Sequence, residues 1–219
     1  MSKKMMLLAL TAVSAALFAT PTVASAQEIH NEPGNQAFTL AGGAGEIRAS
    51  GEPTYTCETT DGSGTQTNST TGTMSFDFTG CHINVLGFTV KCRSAGSPLD
   101  NTIATGGTYH LITWKNASGT AFPAMLITMN TTTVLCGSTT LYLTGDVIGT
   151  ITSPACGVAS KTLTLSFTAT GTTQNHETYT GVNYNLKTST SSTHSPEVTA
   201  ALIDHFTTTT PATNTLNCT

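Results

Sequence analysis

The clearest period along this chain is two. Residues 73–79 alternate strictly, so an extended backbone places Met74, Phe76 and Phe78 on one side and Ser75 and Asp77 on the other. Residues 162–169 repeat the pattern, with Leu163, Leu165 and Phe167 opposed to Thr and Ser. Further strands are read at residues 54–58, 83–92, 108–114, 123–129, 139–144, 147–152, 179–187 and 198–206. Strands recurring at this short spacing, without helical periods between them, predict a single all-β domain. The expected form is an antiparallel β-sandwich-like arrangement, with a β-barrel as the alternative.

Turn chemistry is read at Asp61-Gly62-Ser63-Gly64, Gly106-Gly107, Ser118-Gly119 and Gly145-Asp146, whose residues tolerate positive φ. Ser195-Pro196-Glu197 also fits a helix start, with Ser as N-cap and Pro in the first turn, so residues 198–206 stay open between strand and helix. Residues 27–50 read as an N-terminal arm or edge segment with one strand near 36–40, and 51–206 as the β domain. Residues 207–219 read as a Thr-rich, Pro-interrupted tail unless Cys218 staples them down.

Residues 1–26 have the form of a secretory signal. Lys3 and Lys4 precede an apolar stretch over 5–18, and Ala24-Ser25-Ala26 supplies a small-x-small cleavage pattern before Gln27. The apolar stretch is shorter than a membrane span and no comparable run follows, so the expectation is an exported protein, secreted or in the cell envelope, that does not span a membrane by a helix. An outer-membrane barrel is disfavoured by six Cys and few aromatic residues for two girdles.

Composition sharpens this picture. Roughly a fifth of the residues are Thr, whose stiff χ1 favours strands. Only 9% are charged and the formal net charge is -4, which argues against nucleic acid as a partner, since phosphate binding needs clustered Lys and Arg. All six Cys (Cys57, Cys81, Cys92, Cys136, Cys156 and Cys218) follow the signal and read as a disulfide framework. The preferred bridge is Cys136 with Cys156, at the edges of neighbouring strand candidates. Cys57, Cys81 and Cys92 crowd one region, so one of them is expected to pair elsewhere, with Cys218 as a partner. Zinc is disfavoured by the lack of a Cys-x-x-Cys pair.

The phrase Thr70-Thr71-Gly72-Thr73 leading to Phe78-Thr79-Gly80-Cys81 is the first of two that carry a resemblance. The second is Val147-Ile148-Gly149-Thr150-Ile151-Thr152-Ser153-Pro154-Ala155-Cys156-Gly157 running into Thr162-Leu163-Thr164-Leu165-Ser166-Phe167. Together they resemble an uncharacterised group of exported, Thr-rich bacterial β-proteins, over residues 57–206. The resemblance implies export and a β fold and brings no activity; Cys218 lies outside the shared pattern.

No catalytic or cofactor motif stands out. Gly-x-Ser-x-Gly is absent, and His176-Glu177 lacks the second His of a zinc helix. His30, His82, His110, His176, His194 and His205 are too dispersed for a local metal site, and His110 shares the face of Ile112 and Trp114. Asp77, Asp100, Asp146, Glu177 and Asp204 are the carboxylates that a glycosidase would have to pair across a cleft. Calcium would need loop oxygens, and the twelve-residue Asp-rich loop is missing.

The sharpest binding feature is Trp114, the single Trp, beside Tyr55, Tyr109, Tyr142, Tyr179 and Tyr184, because a sugar ring stacks on an exposed aromatic face. The competing reading makes Trp114 a core anchor. Sequons at Asn68, Asn116, Asn130 and Asn217 follow from the Thr content. The expected function is a non-enzymatic structural or binding role without cofactor. A carbohydrate- or cell-wall-binding protein with weak hydrolytic ability, its partner an envelope polysaccharide, is the alternative.

Overall fold

Strands with one apolar side must turn that side toward one another, and an even, two-residue alternation favours closing the sheet around its own apolar face. The computed structural model describes residues 29–115, 120–176, 181–182 and 184–218. The signal read at 1–26, the turn at Ser118-Gly119, the sequon at Asn116, and Glu177 and Tyr179 lie outside them.

The strands are β1 (Ile29–Glu32), β2 (Ala37–Gly42), β3 (Gly45–Ala49), β4 (Tyr55–Cys57), β5 (Thr59–Gln66), β6 (Thr71–Thr79), β7 (His82–Val85) and β8 (Phe88–Ser94). They continue with β9 (Ile103–Lys115), β10 (Ala121–Cys136), β11 (Thr139–Ser153), β12 (Ala159–Phe167), β13 (Ala169–Thr170), β14 (Thr173–Gln174), β15 (Leu186–Ser189) and β16 (Val198–Cys218). No helix occurs among the described residues, so none is long and apolar enough to cross a membrane. The all-β antiparallel expectation holds.

All strands but β13 and β14 join one antiparallel sheet whose pairings close on themselves. One circuit runs β2-β5-β6-β9-β10-β11-β12-β16 and back to β2; the other runs β3-β4-β7-β8-β10-β11-β15-β16 and back to β3. The long strands β10, β11 and β16 belong to both. The first part of β16 pairs β15 and β3 through Ile203, and the rest pairs β12, β2 and β1. One continuous core fills the interior, where Phe206 stacks on Phe167 at 5.3 Å and meets Phe76 edge-on at 5.5 Å.

Residues 198–206, left open between helix and strand, are strand. Ala200 and Leu202 point into the core while the backbone bonds β3 and β15, so tertiary pairing decides an ambiguous pattern. Of the expected tail over 207–219, residues 207–218 are the continuation of β16, and residue 219 lies outside the described residues. Pro211 fits because the ladder with β12 is interrupted between Ser160 and Thr162, leaving a bulge that needs no donor there. The N-terminal arm contributes β1, β2 and β3, all paired to β16.

Three expected turns are strand interior. Gly62 and Gly64 sit in β5, facing inward where a Cβ would meet Leu40 and the Phe38 ring. Gly106-Gly107 lies within β9. Gly145, at φ 102°, bends β11 where it leaves β15 for β12, so 139–144 and 147–152 form one strand. Conversely, 83–92 is not one strand. Leu86 and Gly87, at φ 50° and 84°, make a two-residue turn and split it into the β7-β8 hairpin.

Disulfides join Cys57 to Cys81, Cys92 to Cys136 and Cys156 to Cys218. The preferred Cys136–Cys156 bridge is therefore wrong. Cys136 lies directly opposite Cys92 on β8, a neighbour the linear order hides, and Cys156 meets Cys218 because β16 runs past the β11-β12 turn. The expectation that one of the crowded Cys57, Cys81 and Cys92 pairs elsewhere holds, with Cys136 and not Cys218 as the partner. Three disulfides fit an oxidising, extracytoplasmic environment.

Candidate functional site

Antiparallel register puts the outward residues of successive strands in rows. Across β16, β2, β5 and β6, Thr209 stands beside Thr39, then Ser63, then Ser75. In the next row Ala37, Thr65, Thr73 and Thr108 follow one another across β2, β5, β6 and β9. These side chains are exposed, while Phe38, Leu40, Met74, Phe76 and Phe78 on the same strands are buried beneath them. A groove of about 720 Å³ opens along this face, lined by Thr39, Ser63, Thr65, Thr73, Ser75 and Thr209 among others.

The hydroxyls partly engage each other, Ser63 Oγ to Ser75 Oγ at 3.3 Å and Thr59 Oγ1 to Thr79 Oγ1 at 2.6 Å. Each hydroxyl has one donor and two acceptor sites, so the face keeps free capacity of both kinds. Asp61 and Asp77 extend it, directly opposite each other across β5 and β6 and both exposed. A glycosidase would need two opposed carboxylates, and residues directly opposite in such a ladder have Cα atoms about 4.5–5.5 Å apart. An acid and a base need unlike environments, however, and these two side chains share one open face.

The other carboxylates read from the sequence do not gather. Asp100 is exposed in the loop before β9, and Asp146 is half-buried within β11. Asp204 is buried, where it accepts from Thr60 Oγ1 at 2.7 Å and from the His205 backbone N–H at 2.6 Å. Burial raises its pKa above the usual carboxylate value, against the lowering effect of those two bonds and of the His205 charge. His205 Nε2 also lies 3.0 Å from Ser166 Oγ. Because Asp204 holds the backbone of His205 and not its ring, the three do not form a nucleophilic relay.

Trp114 is half-buried at the end of β9. Its ring stacks on Phe122, 5.3 Å away on the facing strand, and meets the His176 ring at 4.6 Å. Two neighbouring rings thus occupy it, and it is not a member of the main core cluster. His176 bonds Thr168 Oγ1 through Nε2 at 3.1 Å, and burial lowers its pKa. Tyr55 and Tyr109 are core residues; burial, then the Glu52 charge, raises Tyr55 to about 12, and burial raises Tyr109 as well. Tyr142 packs on His194 at 5.2 Å, and Tyr184 is half-buried.

The remaining His separate widely: His30 near Ser69, His82 beside the Gly80 carbonyl and His110 exposed on β9. Among the described residues no group of three His, Cys, Asp or Glu side chains could hold a metal ion. Of the remaining sequons, Asn68 caps a turn by accepting from the Thr70 and Thr71 N–H groups, Asn130 is exposed, and Asn217 is half-buried in β16. The hydroxyl rows went unread in the sequence, and Asp61 was read only as a turn residue. Their one linear signal is the run of Thr and Ser at every second position, which acquires meaning only through register.

These features define a disulfide-stapled all-β domain with an open hydroxyl face. No family model, no curated protein and no solved structure matches the chain.

Proposed function

We propose that this protein works outside the cytoplasm as a non-enzymatic binding domain of the cell envelope, and that the hydroxyl face of β2, β5 and β6 takes a hydroxylated polymer such as envelope polysaccharide. The observation that carries the reading is the fixed lattice of Thr39, Ser63, Thr65, Thr73 and Ser75 over a buried apolar floor. Strand spacing of about 4.8 Å and a repeat of about 6.8 Å along each strand hold donors and acceptors at set intervals without a conformational cost on binding. Asp61 and Asp77 add acceptors for neighbouring sugar hydroxyls at one end of the lattice. The signal at residues 1–26 supports export. The proposed site replaces Trp114 as the contact surface, since Phe122 and His176 occupy that ring.

The test is co-sedimentation of the oxidised exported chain with isolated envelopes and insoluble polysaccharides. Ser75→Arg places a long side chain across the groove on an exposed position and should abolish retention, whereas Phe122→Leu, on the separate aromatic cluster, should leave it unchanged. Retention indifferent to Ser75→Arg, or no retention of the wild type by any envelope polymer, sinks the proposal.

A further inference from the structure

The β7-β8 hairpin carries apolar residues where the fold has no use for them. Val85 and Phe88 face each other at its end, and Leu86 and Gly87 form the turn. Leu86 is 94% exposed, Phe88 73% and Val85 39%. A leucine at positive φ is costly where Asn, Asp or Gly would serve, so the turn geometry does not account for this residue. From Ile83 to Val90 each leg pairs only with the other; β7 bonds β4 at His82, and β8 bonds β10 only from Cys92 onward. The hairpin therefore projects from the body on a fixed base, because Cys81 and Cys92, immediately outside its legs, are both buried in disulfides.

Charge is distributed to match. The chain has eight Lys and Arg, of which Lys3 and Lys4 belong to the signal, leaving six. Two of those six, Lys91 and Arg93, stand exposed on the stem of this hairpin, with His82 opposite Lys91. Residues 78–99 contain no Asp or Glu, and Glu58 lies beside Gly80 at the body end. Lys91 is three residues from Phe88, about 10 Å along a strand. If the tip enters a bilayer to the depth of an interfacial segment, about 5–10 Å, Lys91 reaches the headgroups.

We infer that the β7-β8 hairpin is an interfacial anchor that inserts Val85, Leu86 and Phe88 into an anionic phospholipid bilayer, with Lys91 on the headgroup phosphates. A two-residue turn is convex and narrow, a shape that a fluid bilayer accepts without a complementary pocket, and the adjoining cations favour an anionic surface over a neutral one. This site is separate from the hydroxyl face, so either can fail alone.

Vesicle flotation tests the anchor. The oxidised chain should float with phosphatidylcholine vesicles containing 30% phosphatidylglycerol, and several-fold less with phosphatidylcholine alone. Leu86→Asn with Phe88→Asn should weaken binding at least tenfold, since burying either side chain is worth that much. Lys91→Gln should weaken it about fivefold on the anionic vesicles only. Both changes fall on exposed side chains, and an unchanged melting temperature certifies the fold. Absence of flotation with anionic vesicles, or flotation that survives the double Asn variant, overturns the inference. So does a dimer in sedimentation that the double Asn variant dissolves while vesicles bind neither protein, which would make a second copy the occupant.

Discussion

Removing the Cys156–Cys218 bridge isolates a cross-link from its packing. Four of the half-cystines, Cys57, Cys81, Cys92 and Cys136, are 3% exposed or less, so replacing them also opens cavities. Cys156 is exposed and Cys218 half-buried at the end of β16. In Cys156→Ser with Cys218→Ser the local backbone keeps its partners: Gly157 N–H still donates to the Leu216 carbonyl at 2.7 Å, and Ile29 and Ala159 still pair opposite residues 218 and 215. The change therefore acts chiefly on the unfolded chain. For a separation of 62 residues the loop-closure relation gives about 4 kcal/mol. At about 2–4 °C per kcal/mol for a domain of this size, the thermal midpoint should fall by about 8–16 °C, with an unchanged far-ultraviolet spectrum. Calorimetry of the oxidised wild type and the double variant measures it, and non-reducing peptide mapping checks the pairing. A shift below about 3 °C, or a Cys136–Cys156 peptide in the map, refutes the reasoning.

Two further changes probe the interior. Gly149→Ala drives a methyl group into the buried Phe167 ring, which stacks on Phe206, and should cost about 1–3 kcal/mol in urea unfolding; Gly43→Ala, where a Cβ meets nothing, should be neutral, and equal effects would refute the packing. Asp204→Asn tests a buried charge. Because the folded pKa of Asp204 is raised, its ionisation opposes folding above that value; the wild type gains stability as pH falls through the raised pKa, and the gain is complete below the ordinary carboxylate value of 3.8. Asn keeps an acceptor for His205 N–H and a donor for Thr60, so the variant should be the more stable at pH 7, with the difference shrinking toward pH 3. An Asn variant less stable at pH 7 would show that the two hydrogen bonds outweigh desolvation.

What was legible in the sequence is what alternation and composition control. Met74, Phe76, Phe78, Leu163, Leu165 and Phe167 face the core as their spacing requires. Pairing over long separations was not legible. Cys92 and Cys136 are opposite only because the last three residues of β10 run beside β8 after the strand leaves β9, and nothing local to either Cys encodes that passage. Glycine misled for a related reason. Gly62 and Gly64 carry the composition of a turn, yet their missing side chains make room for Leu40 and Phe38, a property of the facing strand. Val85-Leu86-Gly87-Phe88 erred in the opposite direction, since its apolar residues resemble buried strand while the chain reverses among them. The hydroxyl face combines both difficulties, because Thr39, Ser63 and Ser75 come from three strands and become neighbours only through their register.

Closure of the sheet also answers a difficulty set by composition. Sheet edges are commonly guarded by charges, above all Lys, and this chain has few: 9% of its residues are charged. Each strand on the two circuits has neighbours on both sides, so the sheet needs little such guarding. The shared strands β10 and β11 pass between neighbours at a bulge over residues 130–131 and a bend at Gly145, β16 changes partners after Ile203, and the three disulfides tie places where chain segments distant in sequence meet. The β7-β8 hairpin is the departure from that economy. Its legs over residues 83–90 lack outer strand partners, its tip is apolar, and Lys91 and Arg93 stand on its stem. Leu99, Phe122, Val158 and Val182 are also exposed, but apart from one another in sequence, whereas Val85, Leu86 and Phe88 gather at one tip, and that concentration is accounted for by a surface that the tip enters.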